Sequence, residues 1–566
     1  MLQAELVIPG RADSNACSRT DNESAGNRPP DTLMTTKSDL PMVLQRRLLR
    51  SCRSAGGRIK MADSLGTRLT GRELLTRIFA AKSVLDRVLG ADEKMVGVLL
   101  PPTVGAAVVN AALALSGRVA VNLNYTTSQA ILDLCIERAG LKHVISSPAF
   151  LSRVKLDAGA KLLDAGDLRK QLGMADKIKA FVHATITPVG LLEKFLGLDR
   201  IRPEDVLTVI FTSGSTGDPK GVVLTVENVG SQVRAIDTLL HLSAADVALG
   251  VLPFFHSYGY TTTLWTPRAL EPAVVYHTDP RDAQTVGRLA REFHATLLMA
   301  TPTFLRYYTR RTPAEDFSSL EAVFGAAEKL PKEVCDAFEK RFGLRPSEAY
   351  GATELSPLVA ANVPPARHVP GRPIDAREGT VGQPILGCRA RITERESLKE
   401  LPVGEDGMLW ISGPNVMQGY LNRPDLTAKV LQDGWYCTGD IAKLDAEGFI
   451  TITGRESRFS KIGGEMVPHL TIEEAVNETL GAADGELLAV VTSVPDSTKG
   501  ERLIVFHLPI SQSPAEIVKK LLLRGLPNLW IPSSDSFAEI AELPVLGSGK
   551  LDLRHLGEMA RQRFPA

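Results

Sequence analysis

The chain has 566 residues, with 65 Lys+Arg balancing 65 Asp+Glu, and is 44% hydrophobic and 23% charged. That length exceeds one ordinary core and calls for two or more domains; the balanced charge excludes the basic excess of a dedicated nucleic-acid binder. Six cysteines lie scattered at positions 17, 52, 135, 335, 388 and 437 without a CxxC or Cys/His cluster, so neither a zinc site nor a disulfide framework is supported, and a reducing, cytoplasmic setting is expected.

Residues 1–37 are polar around "SRTDNESAGNRPPD" and read as a disordered leader. A start at Met34 is an alternative, and the first residues lack the apolar core of a secretory signal. From 38 to 453, short β-rich runs alternate with helical patterns, which predicts α/β layers with parallel strands. The apolar stretch 95–121, "MVGVLLPPTVGAAVVNAALALSGRVAV", is broken by Pro101 and Pro102 and carries Arg118. It reads as a buried strand, a turn and a core helix, and no uninterrupted run reaches the roughly 18 apolar residues of a membrane span. "IKAFVHATITPVGLLEKFLGL" (178–198) mixes apolar and basic residues. It reads as a core or domain-edge helix, with contact to a membrane surface as the alternative. "DVLTVIF" (205–211) and "HATLLMA" (294–300) read as buried strands, and 226–242 as a helix. "GRESRFSKIGGE" (454–465) reads as a turn-rich, charged break, and residues 454–566 suffice for one small α+β domain.

Between the strand ending at Phe211 and the next apolar run lies "TSGSTGDPKG" (212–221). Gly214, Gly217 and Gly221 permit positive φ and close approach of a ligand. Thr212, Ser213, Ser215 and Thr216 supply hydroxyls, Lys220 one positive charge, and successive N–H groups in such a turn cradle an anion. A phosphate is the expected ligand. The spacing fits neither a Walker A loop, since position 219 is Pro, nor the dinucleotide-binding G-x-G-x-x-G.

These ten positions resemble the signature of the adenylate-forming enzymes: acyl-CoA and acyl-carrier-protein synthetases, luciferases and peptide-synthetase adenylation domains. Further segments resemble that family's motifs in the same order, over roughly nine-tenths of the chain. "PFFHSYG" (253–259) carries His256, which the resemblance puts beside the acyl carboxylate. "GAAEKLP" (325–331) resembles the turn lining the adenine, with Gly325, Ala326 and Ala327. "YGATE" (350–354) implies Tyr350 stacking on the base next to Gly351, Thr353 bonding the α-phosphate and Glu354 holding Mg²⁺. "GWYCTGD" (434–440) supplies Asp440 for the ribose hydroxyls, and Arg455 follows for ribose or phosphate at a hinge. "LPVLGSGKLD" (543–552) supplies Lys550, matching the family's catalytic lysine.

The resemblance implies a large N-terminal adenylation domain of β-sheets flanked by helices (38–453) and a small mobile α+β lid (454–566). It also implies two half-reactions that use ATP and Mg²⁺: a carboxylate gives acyl-AMP, then a thiol takes the acyl group. Lid rotation would insert Lys550 for the first step and bring "SKIGGE" (460–465) to the site for the second. Ser457 departs from the Asp or Lys that many members carry there, which leaves the pivot open. The segments 98–126, 461–469 and 543–553 resemble the acyl-[acyl-carrier-protein] synthetase part of 2-acylglycerophosphoethanolamine acyltransferase/synthetases. A long-chain fatty acid and acyl-carrier protein are therefore the expected partners, in phospholipid metabolism, with coenzyme A as the alternative acceptor. A non-catalytic binding protein and an amino-acid-activating module are lower alternatives. The 12 basic against 15 acidic residues from 455 to 566 give no support for docking an acidic carrier. The H-x₄-D spacings of such acyltransferases occur at His241/Asp246 and His277/Asp282, both inside the adenylation domain, and read as coincidence.

Overall fold

The computed structural model describes residues 41–213, 219–368, 376–395, 397–463, 465–482, 487–496, 498–545 and 551–565; the expected leader lies outside them. Four sheets organise the chain. A nine-stranded sheet has a parallel centre, Ile59–Asp63, Ala273–Tyr276, Val247–Gly250, Leu297–Ala300 and Ala322–Gly325, and an antiparallel end where Ser347–Gly351 meets Leu358–Ala361. A seven-stranded sheet runs parallel through Leu162–Asp164, Val144–Ser146, Met95–Val98, Val119–Asn122 and Val206–Ser213, continues into the antiparallel Pro219–Thr225 and ends at the antiparallel Gly419–Tyr420. Helices join these sheets into one continuous apolar core. The expected strands and the Val226–Leu240 helix appear where the patterns put them. The 95–121 stretch forms a strand, a helix (Val104–Leu115) and a second strand, nearly all of it buried.

An antiparallel sheet of Arg389–Thr393, Gly407–Ser412, Trp435–Leu444 and Ile450–Arg455 leads into the C-terminal part. There Gly500–His507 is the central strand of the fourth sheet, with Ala489–Asp496 paired along its length at one edge. Strand alternation sends Val490, Val494, Ile504 and Phe506 to one face, under the Leu553–Arg563 helix. It sends Val491, Leu503 and Val505 to the other, under His469–Thr479 and Pro514–Leu523. Each face has its own apolar core of residues from 462 onward.

The 454–465 segment differs from expectation. Glu456–Arg458 is a short helical turn, and Phe459–Ile462 and Glu465–Pro468 pair as a hairpin. Burial of Ile462 and Val467 stabilises strands that the charged, glycine-bearing sequence conceals. Two buried polar contacts pin this hairpin to the following helix. Arg458 and Glu473 pair at 2.5 Å with side chains 6% and 8% exposed, and Ser460 Oγ lies 2.6 Å from His469 Nε2.

Burial, followed by the nearby Arg458 charge, pushes the His469 imidazole down to about 3. A histidine held neutral in the fold stabilises it above the unfolded value near 6.5, and that stabilisation is lost as pH falls toward the folded value. The stability of the C-terminal part against thermal unfolding should therefore fall from pH 6.5 to 5 with a slope approaching about 1.4 kcal/mol per pH unit. His469→Gln should flatten that slope; an unchanged slope in the variant would assign it to other groups.

Candidate active site

The hairpin Val206–Ser213/Pro219–Thr225 sets Thr212 opposite Lys220 and Ser213 opposite Pro219. Both Thr212 and Lys220 line a large cleft. Gly214, Ser215, Thr216 and Gly217, expected to hold phosphate, lie outside the described residues. Lys220 Nζ stands 5.2 Å from the centre of the Tyr420 ring, a cation–π contact, and Tyr420 Oη donates to Glu354 at 2.9 Å. Tyr420 thus joins the expected phosphate-binding lysine to the expected metal-binding carboxylate. Burial, and then the Glu354 charge, raise the Tyr420 hydroxyl far above its ordinary value, so it remains a donor.

Gly351 ends its strand against the returning chain: a Cβ there would lie 1.9 Å from the Pro357 carbonyl oxygen, so no side chain fits. The turn that follows carries Thr353, whose hydroxyl lies 3.2 Å from Ser257 Oγ, and Glu354. Tyr350 Oη donates to Asp440 Oδ2 at 2.5 Å. Burial, and next the Asp440 charge, keep the Tyr350 hydroxyl protonated well above its usual range. Arg455 faces Asp440 across the strand pair, with Nε 3.4 Å from Oδ1, and that carboxylate raises the arginine further. Both Asp440 oxygens are engaged, Oδ2 by Tyr350 and Oδ1 by Arg455.

A second, apolar cavity runs from this turn between the Val226–Leu240 helix and the nine-stranded sheet. Leu239, Leu242, Ala248, Leu297, Pro267 and Pro272 line it away from the turn. His256, Ala327 and Tyr350 to Thr353 line both the cavity and the cleft, so the two spaces meet at these residues. Of the expected adenine-lining turn, Ala327 lines both spaces and takes a positive φ of 76°; Ala326 lines only the cavity. Gly325 lines neither, and a Cβ on it would meet Leu330 at 2.8 Å.

From the C-terminal part, Leu470, Thr471, Glu474 and residues 551–554 line the cleft, and Glu474 pairs with Lys329 of the large domain. Lys550 directly precedes this stretch but lies outside the described residues. Among the described residues no three His, Cys, Asp or Glu side chains gather as a metal cage. One carboxylate, Glu354, fits Mg²⁺, which takes one or two protein carboxylates and fills its octahedron with phosphate oxygens and water. Sequence reasoning missed Tyr420, Ser257 and Tyr436, which also lines the cleft. Ser257 and Tyr436 lie within the 253–259 and 434–440 motifs, and Tyr420 carries no distinguishing spacing because it acts on Glu354, 66 positions away.

The H-x₄-D pairs are structural. Asp246 is tied to Arg367 at 2.5 Å and to Thr296 at 2.8 Å. Asp282 caps the Ala283–Phe293 helix, with His277 Nε2 3.5 Å away.

Residues 48–421 match the family model described as AMP-binding enzyme. The long-chain-fatty-acid–CoA ligase of Bacillus subtilis (strain 168) is 30% identical over 374 residues, 64% of this chain and 64% of that protein. The chain thus spans just under two thirds of that ligase's length. Feruloyl-CoA synthase of an Amycolatopsis species is 30% identical over 455 residues, 79% of this chain and 84% of that protein. The structure of ATP-bound MatB from Rhodopseudomonas palustris superposes with a TM-score of 0.76 at 23% identity, covering 93% of this chain and 100% of that one. At that identity the superposition establishes the shared α/β fold with its large N-terminal and smaller C-terminal domain. With its match running through more than half of the sequence, this chain belongs to the AMP-binding enzyme family.

Proposed function

We propose that the protein activates a long-chain carboxylic acid with ATP and passes the acyl group to the thiol of coenzyme A. The observation that carries this reading is the junction at His256 and residues 350–353, where an apolar cavity opens onto a polar cleft. An acid lying in the cavity presents its carboxylate at that junction, and a nucleotide in the cleft presents its α-phosphate there. A carboxylate oxygen attacks the α-phosphorus, the acyl–O–P bond forms and pyrophosphate leaves. The thiolate then attacks the acyl carbon and AMP leaves with the bonding electrons.

Both reactants are anions, so the residues must hold them together against repulsion. The Thr353 hydroxyl, positioned beside Ser257, donates to a phosphate oxygen, and Lys220 and Thr212 face the phosphates. Asp440, fixed by Tyr350 and Arg455, accepts from the ribose. His256 stands where the acid's carboxylate emerges. Glu354, oriented by Tyr420, holds Mg²⁺, which supplies charge neutralisation on the phosphates. By the family resemblance Lys550, which lies outside the described residues, would bridge the carboxylate and the α-phosphate if residues 454–566 act as a lid.

Coenzyme A has more support than the acyl-carrier protein that the narrower motif resemblance implies. The long-chain relatives are named as CoA ligases, and the 455–566 segment lacks a basic excess for an acidic carrier. The test is thioester formation from palmitate, ATP and Mg²⁺ with coenzyme A and holo-acyl-carrier protein offered in parallel. Acylation of coenzyme A is expected. Acylation of the carrier alone would change the acceptor and keep the adenylation. No palmitate-dependent pyrophosphate release would overturn the reading.

Ala248→Phe, in the part of the cavity away from the junction, should move the preference from palmitate toward shorter acids such as octanoate. Competition between the two acids measures this, and an unmoved preference would place the acyl chain elsewhere. Lys550→Ala should slow acyl-AMP formation about 10²–10³-fold and spare thioester formation from supplied acyl-AMP. Equal loss in both half-reactions would remove the lid assignment.

A further inference from the structure

The Met174–Thr185 helix packs through Ala180 and Ala184 against the Gly71–Val88 helix. On the opposite side Met174, Ile178, Phe181, Val182 and Ile186 recur at i, i+4, i+7, i+8 and i+12, one continuous stripe of a 3.6-residue helix. The stripe faces solvent: Met174 is 70%, Phe181 56% and Ile186 69% exposed. The next helix, Val189–Phe195, extends it with Leu191, 53% exposed, and Phe195, 77% exposed. A soluble surface scatters such residues singly, so a contiguous face of this kind marks a contact site.

The two helices are held rigidly in this attitude. Arg53 donates to the carbonyls of His183, Thr185 and Thr187 at 2.9, 2.8 and 2.5 Å, closing the end of the first helix. Glu193, 4% exposed, takes bonds from Arg46 at 2.9 Å and Arg50 at 2.8 Å and ties the second helix to Leu44–Ala55. The His183 ring sits between Phe79 and Phe195, with centroids 5.6 and 6.3 Å away. Polar anchors, the buried Glu193 among them, therefore hold the apolar stripe outward.

Charge chooses the occupant. By helical geometry Lys177 and Lys179 flank the stripe on its two sides, and Lys194 lies beside Phe195. All three are exposed and make no ion pair among the described residues. An apolar face bordered on both sides by lysines is the pattern of a helix lying in a lipid interface, its rings among the acyl chains and its ammonium groups reaching anionic headgroups. A protein partner would not require basic residues on both borders. Among the described residues no helix is long and apolar enough to cross a membrane, and the stripe lies along the helix surface as contact with one leaflet requires. We propose that the 174–195 helical pair docks the protein on an anionic lipid bilayer. The Leu44–Ala55 helix that anchors it also packs on Thr266–Ala269, which lines the apolar cavity. For the long-chain acid proposed above, the docking face and the cavity wall thus share one scaffold.

The test is cosedimentation of the full chain with vesicles of phosphatidylcholine alone or mixed with phosphatidylglycerol. The unmodified protein should bind the mixed vesicles and bind more weakly as salt rises. Phe181→Ser with Phe195→Ser should lower partitioning about tenfold or more, and Lys177→Gln with Lys179→Gln about 30-fold. Circular dichroism should stay unchanged, since all four side chains are exposed. Activation of a water-soluble short-chain acid without vesicles should also stay unchanged. The proposal is overturned if the unmodified protein stays in the supernatant, if the phenylalanine variant binds as it does, or if the protein self-associates through this face without binding lipid. Vesicle binding is read without catalysis, so this result and the proposed reaction fail independently.

Discussion

The tight reversal at Gly351 is the constraint around which the site is arranged. The strand Ser347–Gly351 must turn back onto Leu358–Ala361 within six residues, and the Pro357 carbonyl occupies the space a side chain would need at Gly351. That close approach compresses residues 352–357 into one short turn and brings Thr353 and Glu354 to the mouth of the apolar cavity. The same strand places Tyr350 against Asp440, nearly a hundred positions later. A bulkier residue at 351 would separate the returning strand and move all three polar groups together.

Around this turn the protein meets a problem of like charges with few formal charges of its own. Tyrosine hydroxyls do much of the positioning. Tyr350 and Tyr420 each donate to one carboxylate, and burial keeps both hydroxyls protonated, so each remains a donor through the physiological range. The Tyr420 ring also faces the Lys220 ammonium, and one residue therefore fixes two groups of opposite charge. Preorganised dipoles in a partly enclosed site act more strongly than the same groups in water.

The two large sheets share one apolar core between them, and the seven-stranded sheet carries a second on its other face; the C-terminal sheet likewise has a core on each face and adds the buried Arg458–Glu473 and Ser460–His469 contacts at its entry hairpin. A buried ion pair costs desolvation and contributes geometric definition. It ties the entry of the C-terminal part, just after Arg455, to the helix that follows. In the N-terminal part, Arg53 and Glu193 hold in place a helical pair whose outer face is apolar.

The sequence by itself determined the α/β class, the strands and helix around 205–242, the family, and the segments that carry the chemistry, because local periodicity and short motifs record those directly. Thr212, Lys220, Tyr350, Thr353, Glu354, Asp440 and His256 were all legible in this way, and all line the cleft or its junction with the cavity. Tertiary structure alone decided the rest. Tyr420 and Ser257 matter through partners 66 and 96 positions away, a relation no local pattern encodes. The 459–468 hairpin was hidden because its pairing depends on burying Ile462 and Val467 rather than on its charged, glycine-bearing composition. The apolar cavity is assembled from a helix, several strands and two turns, and so exists only once they pack. The 174–195 stretch shows the limit most plainly: its apolar residues fit two faces of a helix, and only the packing of Ala180 and Ala184 determined which face is inside.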